Sequence, residues 1–475
     1  MYRRTMTFLL ALGLLAGCGP FGPAEPTATP PATVAPTSGP TSAPAPSATL
    51  EVAATATEPV ASATKTAPVA ADATGTAPTA GSGTASPGAA VPEGTVLPAT
   101  QKQLATIESQ TTSLRGLRPK TDVPEHFVSS DQIEANLADE IADEYSHEEA
   151  RQDALDLWLL RLIDDRTVDL YQLQIDLLGE QVLGYYDPKK DELFVRNDQQ
   201  PMGLEAQETL AHEFVHSLQD EYYDLEKLRP EDAHNSDRDT ALTSLIEGDA
   251  TLAGILWAQK YMSAKDFQTL VSQSSNADTT VLDKAPAYIR ESLIFPYDQG
   301  GNFVVELYKR GGFSAIDKAF AAPPQSSEQI LHPEKYLATP QDPPVDVSLP
   351  PLTSTLGTGW KQSSSDTVGE FDLGVLLRTN GVDDPAAAAG WGGARYAAYE
   401  GNGAAVLILG TRWDTPQDAV EFESAMTKTF AQAEESDGVW SIGGRFFAMQ
   451  RAGDAVTVVS GTDRDAVTRA LGAVK

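Results

Sequence analysis

From Gly19 to about Ala99 the chain is built almost wholly from Ala, Pro, Thr, Ser and Gly, and no aromatic residue follows Phe21 until well past residue 100. Such a tract cannot bury enough apolar surface to offset the entropy of ordering it, so it is expected to stay a disordered stalk. As a coil of about eighty residues its mean reach is roughly 50 Å, and its prolines stretch it further. Any packed core must therefore come from the residues beyond about 100.

The residues before the tract fit that picture. Arg3 and Arg4 make a short basic start, residues 8–16 an apolar run, and Leu15-Ala16-Gly17-Cys18 closes it. The run is too short to span a bilayer as a helix and has the anatomy of an export signal. The closing four residues resemble a bacterial lipobox. The resemblance implies cleavage before Cys18, a lipid on that cysteine and an extracytoplasmic chain anchored to the membrane. The alternative is an ordinary signal peptide with a chance cysteine. Cys18 is the one cysteine, so no intrachain disulfide can form. The 34 Lys and Arg stand against 67 Asp and Glu, a formal charge of -33. That balance argues against nucleic acid, or anionic lipid head groups, as partners of a basic face.

Helical signals begin near Gln101. Ser129-Ser130-Asp131 can cap a helix through Ile133, Leu137 and Ile141, and Ser146 with Glu149 reads as a capping box for the next. A third helix is expected over 168–178. Residues 182–186, a turn at 187–191 and residues 193–195 then read as a hairpin. Helices follow around 203–224, 238–262 and 297–310. The Pro-rich stretch 339–351 marks a boundary. Beyond it, strands over 395–399 and 404–409, a helix over 416–431, strands over 446–450 and 455–460 and a helix over 463–471 suggest a small two-layer α+β domain.

The chemistry is concentrated in Thr209-Leu210-Ala211-His212-Glu213-Phe214-Val215-His216-Ser217-Leu218. Histidines at i and i+4 on a helix lie on one face, so both imidazoles can reach one metal ion. Glu213 projects beside them, where it can take a proton from water without being a ligand. A catalytic zinc takes three protein ligands and leaves a position for water. Glu247 is the best third ligand, because it lies on an apolar segment with Leu242, Leu245, Ile246 and Leu252, where an unpaired carboxylate is costly. The alternative partner for Glu247 is a basic side chain such as Arg238.

With these residues the chain resembles the gluzincins, metallopeptidases whose zinc is held by the two histidines of HExxH and a downstream glutamate. Glu247-Gly248-Asp249-Ala250 is similar to the Glu-Gly-x-Ala of their aminopeptidase branch. Phe295-Pro296-Tyr297-Asp298-Gln299-Gly300 looks like that branch's Pro-Tyr-Glu-Lys-Gly. The resemblance implies that Tyr297 steadies the oxyanion of the tetrahedral intermediate. The branch's upstream Gly-x-Met-Glu-Asn strand is missing, and the hairpin of 182–195 stands in its place, offering an edge to an extended peptide. Position 251 is Thr, where thermolysin-like enzymes carry Asp. These departures favour an endopeptidase over an exopeptidase.

His332, before Pro333, is a second candidate donor to the transition state, with a structural hydrogen bond as its alternative. Asp220 and Asp249 are candidates to orient the ligand imidazoles. His126, His147 and His234 have no motif around them.

The expected protein is an α+β chain: a signal over 1–17, a stalk over 18–100, a mainly helical zincin-like domain with a small sheet over 101–340, and an accessory α+β domain over 341–475. Zn²⁺ held by His212, His216 and Glu247, with Glu213 as base, would cleave a peptide or protein substrate. The alternatives are a non-catalytic zincin-fold lipoprotein serving as a binding or envelope-structure module, and a hydrolase of some other bond.

Overall fold

Apolar residues at helical spacing dominate the chain up to about 340 and alternating apolar residues dominate after it, and the structure follows that division. The computed structural model describes residues 9–12, 96–196, 200–229, 234–274 and 279–474. Cys18 and the expected stalk up to residue 95 lie outside the described residues. The first helix, Pro98–Arg115, starts slightly inside the stretch expected to be stalk, with its proline in the first turn where a missing N–H costs nothing.

Three further helices build the lower part of the first half. Ser130–Glu144 is capped by Ser129, and His147–Leu159 opens with a reciprocal capping box between Ser146 and Glu149. Leu170–Gln181 is capped by Asp169, and Val182–Asp187 and Glu192–Arg196 follow it as an antiparallel hairpin. Glu125–Val128 adds in parallel to Glu192–Arg196, and Leu9–Leu12 pairs antiparallel with the outer side of Val182–Asp187. Leu9–Leu12 falls within the stretch read as an export signal.

Of three long helices, Leu204–Tyr223 packs on this sheet, Ser236–Tyr261 packs on Leu204–Tyr223, and Ala287–Gly311 packs on Ser236–Tyr261. The last was expected around 297–310. It begins ten residues earlier, and Pro296 sits inside it. A proline removes one helical hydrogen bond. Here the buried face of Tyr288, Ile289, Leu293, Phe295, Phe303, Val304 and Leu307 carries the helix past it.

Ser236–Tyr261 and Ala287–Gly311 meet backbone to backbone. A Cβ on Gly248 would lie 2.3 Å from the Gly300 carbonyl oxygen, and one on Gly300 would lie 2.3 Å from the Ser244 carbonyl oxygen. Only glycine permits that approach.

The second half is built on one seven-stranded antiparallel sheet. Its order is Lys361–Thr367, Trp391–Gly401, Ala404–Trp413, Ala455–Gly461, Arg445–Ala452, Val439–Ile442 and Glu434–Ser436. Helices Glu370–Thr379, Pro416–Thr429 and Arg464–Gly472 accompany it. The core on one side joins Trp360, Tyr399, Val406, Ile408, Val459 and Val467.

The two halves pack together within one unit spanning Pro92–Lys475. Buried polar contacts cross the seam. Asp156 accepts hydrogen bonds from Ser364 and Tyr396, and Arg161 donates to Thr429.

Candidate metal centre

Leu204–Tyr223 is held on its apolar side by Leu210, Ala211, Phe214, Val215 and Leu218, all buried. That packing fixes the helix rotation and brings His212 and His216 to the face of Ser236–Tyr261. Glu247 enters from there, fully enclosed, opposite both imidazoles. His212 Nε2 and His216 Nε2 are 3.1 Å apart, and the Glu247 Oε2 lies 3.2 Å from the first and 3.4 Å from the second. Among the described residues this is the set of His, Cys, Asp and Glu atoms close enough together to hold a metal ion.

Burial acts to lower the pKa of His212, and it ends below its ordinary value. Burial also acts to lower His216, but Glu247 beside it outweighs that effect and lifts it to about 9. For Glu247 burial works upward, and the two histidines overcome it and hold the carboxyl below its usual range. In this enclosed set the carboxylate favours a positive charge beside it, and the histidines favour the ionised carboxylate.

Glu213 is 1% exposed, and its Oε2 accepts a hydrogen bond from the Tyr186 backbone N–H at 2.9 Å. That ties the acid of the motif to strand Val182–Asp187. The Tyr297 ring stacks at 6.3 Å from the His212 ring, one face of the site, and is half-buried. Tyr297 therefore lies with the metal-ligand candidates.

His332 is engaged elsewhere. Its Nε2 is 2.9 Å from Glu370 at the start of Glu370–Thr379, and its Nδ1 is 3.7 Å from Glu334. Asp220 is likewise bonded away from the imidazoles: it accepts from the Tyr186 hydroxyl and from the Leu225 N–H beyond the helix end. Asp249 is paired with Arg115, and Arg238 lies at the N-terminal end of its helix, where its N–H donates to the Asn235 cap. His126 stacks on Phe194 and His147 packs at a tilt against Tyr171, while the His234 carbonyl accepts from Thr367.

Three residues of the site carried no signal strong enough to be singled out in the sequence. Gln219 Oε1 lies 2.8 Å from His216 Nδ1, and its amide nitrogen donates to Asp249 and to the Ile246 carbonyl. Its place one turn beyond His216 is a spacing that could have found it. Arg115 reaches Asp249 from a helix far away in sequence, which no spacing reveals. Glu208, one turn before His212, lies against Gly254, and burial pushes its carboxyl up to about 7.

A larger cavity of about 580 Å³ lies elsewhere, lined by the segment 344–349 and by Arg395, Ala397 and Tyr399. It includes none of the converging donors. Size alone is a poor guide here, and the convergence of buried ligand-type atoms identifies the site better.

Residues 355–471, within the sheet half, match the family model described as a domain of unknown function (DUF8575). No curated protein and no solved structure matches the chain.

Proposed function

We propose that the chain is a zinc-dependent peptidase of the gluzincin type, an endopeptidase held outside the cell membrane by a lipid on Cys18. The observation that carries the reading is the convergence of His212, His216 and Glu247, 3.1–3.4 Å apart, with Glu213 beside them. Ligands about 2.0–2.1 Å from a tetrahedral zinc stand about 3.3 Å from one another. Two imidazoles and one carboxylate are also a donor set that suits zinc and leaves a fourth position open.

A bound zinc would supply Lewis acidity at the scissile carbonyl and a lowered pKa for the attacking water. Glu213 takes the proton of that water and returns it to the leaving amine. The Tyr186 N–H keeps its carboxylate facing the strand along which a peptide would lie. Tyr297 offers its hydroxyl to the oxyanion. The outer side of Val182–Asp187 already accepts one extended apolar segment, Leu9–Leu12, in antiparallel register, and this favours a substrate bound as an added strand. The zincin-like label belongs to residues 101–340 and an accessory role to the sheet half.

Zinc per chain, measured by elemental mass spectrometry on the full chain and on Glu247→Ala, tests the site. The expected result is near one zinc in the parent and clear loss in the variant. Glu213→Gln should retain zinc and hydrolyse an unfolded protein substrate about 10²- to 10⁴-fold more slowly. A parent that stays metal-free after reconstitution overturns the enzyme reading in favour of a binding or envelope-structure module. A zinc-loaded parent inert towards peptides moves the reaction to another bond.

A further inference from the structure

His216 can serve a metal through Nε2 only if its proton sits on Nδ1. The Nε2 faces His212 and Glu247, and the Nδ1 faces Gln219 Oε1 at 2.8 Å. Which end of the Gln219 amide faces His216 is fixed by its other neighbours. The Asp249 carboxylate at 2.9 Å and the Ile246 carbonyl at 3.1 Å can only accept, so the amide nitrogen must point to them. The oxygen then faces His216, and the imidazole must donate from Nδ1.

Asp249 is itself fully buried, and Arg115 Nε lies 3.0 and 3.1 Å from its two oxygens. Arg115 is held in turn by Asp317 at 2.7 Å and by the face of Phe313, and the Tyr223 hydroxyl donates to the same Asp317 oxygen. Arg115 is the last residue of Pro98–Arg115, and every link from it to His216 is enclosed by protein.

We infer that Arg115, Asp249 and Gln219 form a positioning chain that sets the tautomer and ring orientation of His216, so that metal affinity is controlled from the first helix of the folded chain. The inference rests on the reading of His212, His216 and Glu247 as a metal site. None of the three residues offers a donor atom to the metal, so each acts through His216. A purely architectural role for the Arg115–Asp249 pair would pin one helix to another and leave the tautomer indifferent to it. The two roles differ in what happens to metal affinity once the protein is folded.

The experiment uses the full chain, with folding followed by circular dichroism and zinc affinity measured by competition with a chelator. Cobalt(II) is loaded in parallel for its visible absorption, which reports ligand geometry. Gln219→Leu keeps the volume and removes the acceptor; affinity is expected to fall about 10- to 100-fold with a changed cobalt spectrum. The double variant Arg115→Met with Asp249→Leu replaces the buried ion pair by apolar bulk, a change that folded proteins often tolerate. It leaves the Ile246 carbonyl alone to orient the Gln219 amide, so zinc should weaken, by less than in Gln219→Leu. Should that variant fail to fold, the pair Gln219→Glu with Asp249→Asn decides. It exchanges the two polarities at constant charge, restores an acceptor for His216 Nδ1, and is expected to recover most of the affinity that Gln219→Leu loses.

Variants that fold and bind zinc like the parent overturn the chain. So does loss in Gln219→Leu with no loss in the folded Arg115–Asp249 replacement, or no recovery in the exchanged pair. A parent that takes up no zinc overturns the metal reading as well, which separates the two failures.

Discussion

Between Leu204–Tyr223 and Ser236–Tyr261 the buried polar side chains are bonded to one another in a continuous set running from Arg115 through Asp249, Gln219 and His216 to Glu247. In the sheet of residues 361–461 the interior is built from Val406, Ile408, Val459 and their apolar neighbours, and the buried acids Asp366 and Asp372 lie towards the seam. Burying polar groups costs free energy unless every one is paired. In the first half one such bonded set surrounds atoms suited to a metal, while Asp153, Asp156 and Arg161 are buried at the seam. In the second half the buried charges Asp366, Asp372 and Arg445 are bonded to groups of the first half, and the interior of the sheet itself is apolar. The contrast is between a polar set bonded around one point and a sheet whose own interior is apolar.

Phe422→Ala should give the largest loss of stability in the sheet half. Phe422 is fully buried, on Pro416–Thr429, with its ring 4.6 Å from that of Trp413. Removing such a side chain costs about 3–5 kcal/mol. Chemical denaturation checks the cost, and zinc affinity of the folded variant should equal the parent's. A matching fall in affinity would show that the two halves are not separable in this sense.

Gly248→Ala is the counterpart in the first half. Its added methyl meets the Gly300 carbonyl, backbone that cannot turn aside, so the two helices must part. Overpacking of this kind costs about 1–3 kcal/mol. Unlike Phe422→Ala it should also lose zinc, because Glu247 is the preceding residue on the displaced helix. Unfolding and zinc titration on the same sample distinguish the two variants.

The motif residues and their partner Glu247 were legible because helical spacing and an apolar setting leave few other uses for them. The capping box at Ser146 and the hairpin of 182–196 were legible for the same local reason. Arg115 and Glu208 escaped because their roles depend on contacts between helices distant in sequence, and Gln219, although one turn from His216, is a neutral amide that draws no attention by type. Lys361–Thr367 escaped because KQSSSDT has no apolar alternation. Its Ser364 is buried by bonding Asp156 across the seam. The start of Ala287–Gly311 was misplaced because tertiary packing carries that helix through Pro296.

The seam gives an effect with a defined pH dependence. Asp153 is 2% exposed, its Oδ2 accepts from the Tyr145 hydroxyl, and burial pushes its carboxyl from 3.8 to about 7. Asp156 beside it is pushed to about 6 by the same cause. An acid whose pKa is raised on folding keeps its proton longer in the native state. Its stabilising contribution is full below about pH 4 and is lost as pH rises to about 7. At about 1.4 kcal/mol per unit, Asp153→Asn should gain on the order of 2–4 kcal/mol over the parent between pH 4 and pH 8. Thermal unfolding across that range is the check, and parallel curves for parent and variant would refute the assignment.

His332→Ala should show the smallest effect on stability, confined to the acid side of neutrality. The hydrogen bond to Glu370 raises the His332 pKa above its ordinary value, against a smaller opposing effect of burial. A histidine raised on folding stabilises fully below its unfolded pKa near 6.5, and that contribution vanishes as pH rises through the folded value. The pair is partly solvated, so the variant should lose about 1 kcal/mol at pH 5.5 and little at pH 9. Since His332 is engaged with Glu370 and not with the metal-ligand candidates, peptide hydrolysis by the folded variant should stay within about twofold of the parent, against the 10²-fold or larger loss that removing a general acid or base brings. A loss of that size, with zinc retained and the fold intact, would instead make His332 part of the reaction and carry the chemistry across the boundary between the two halves.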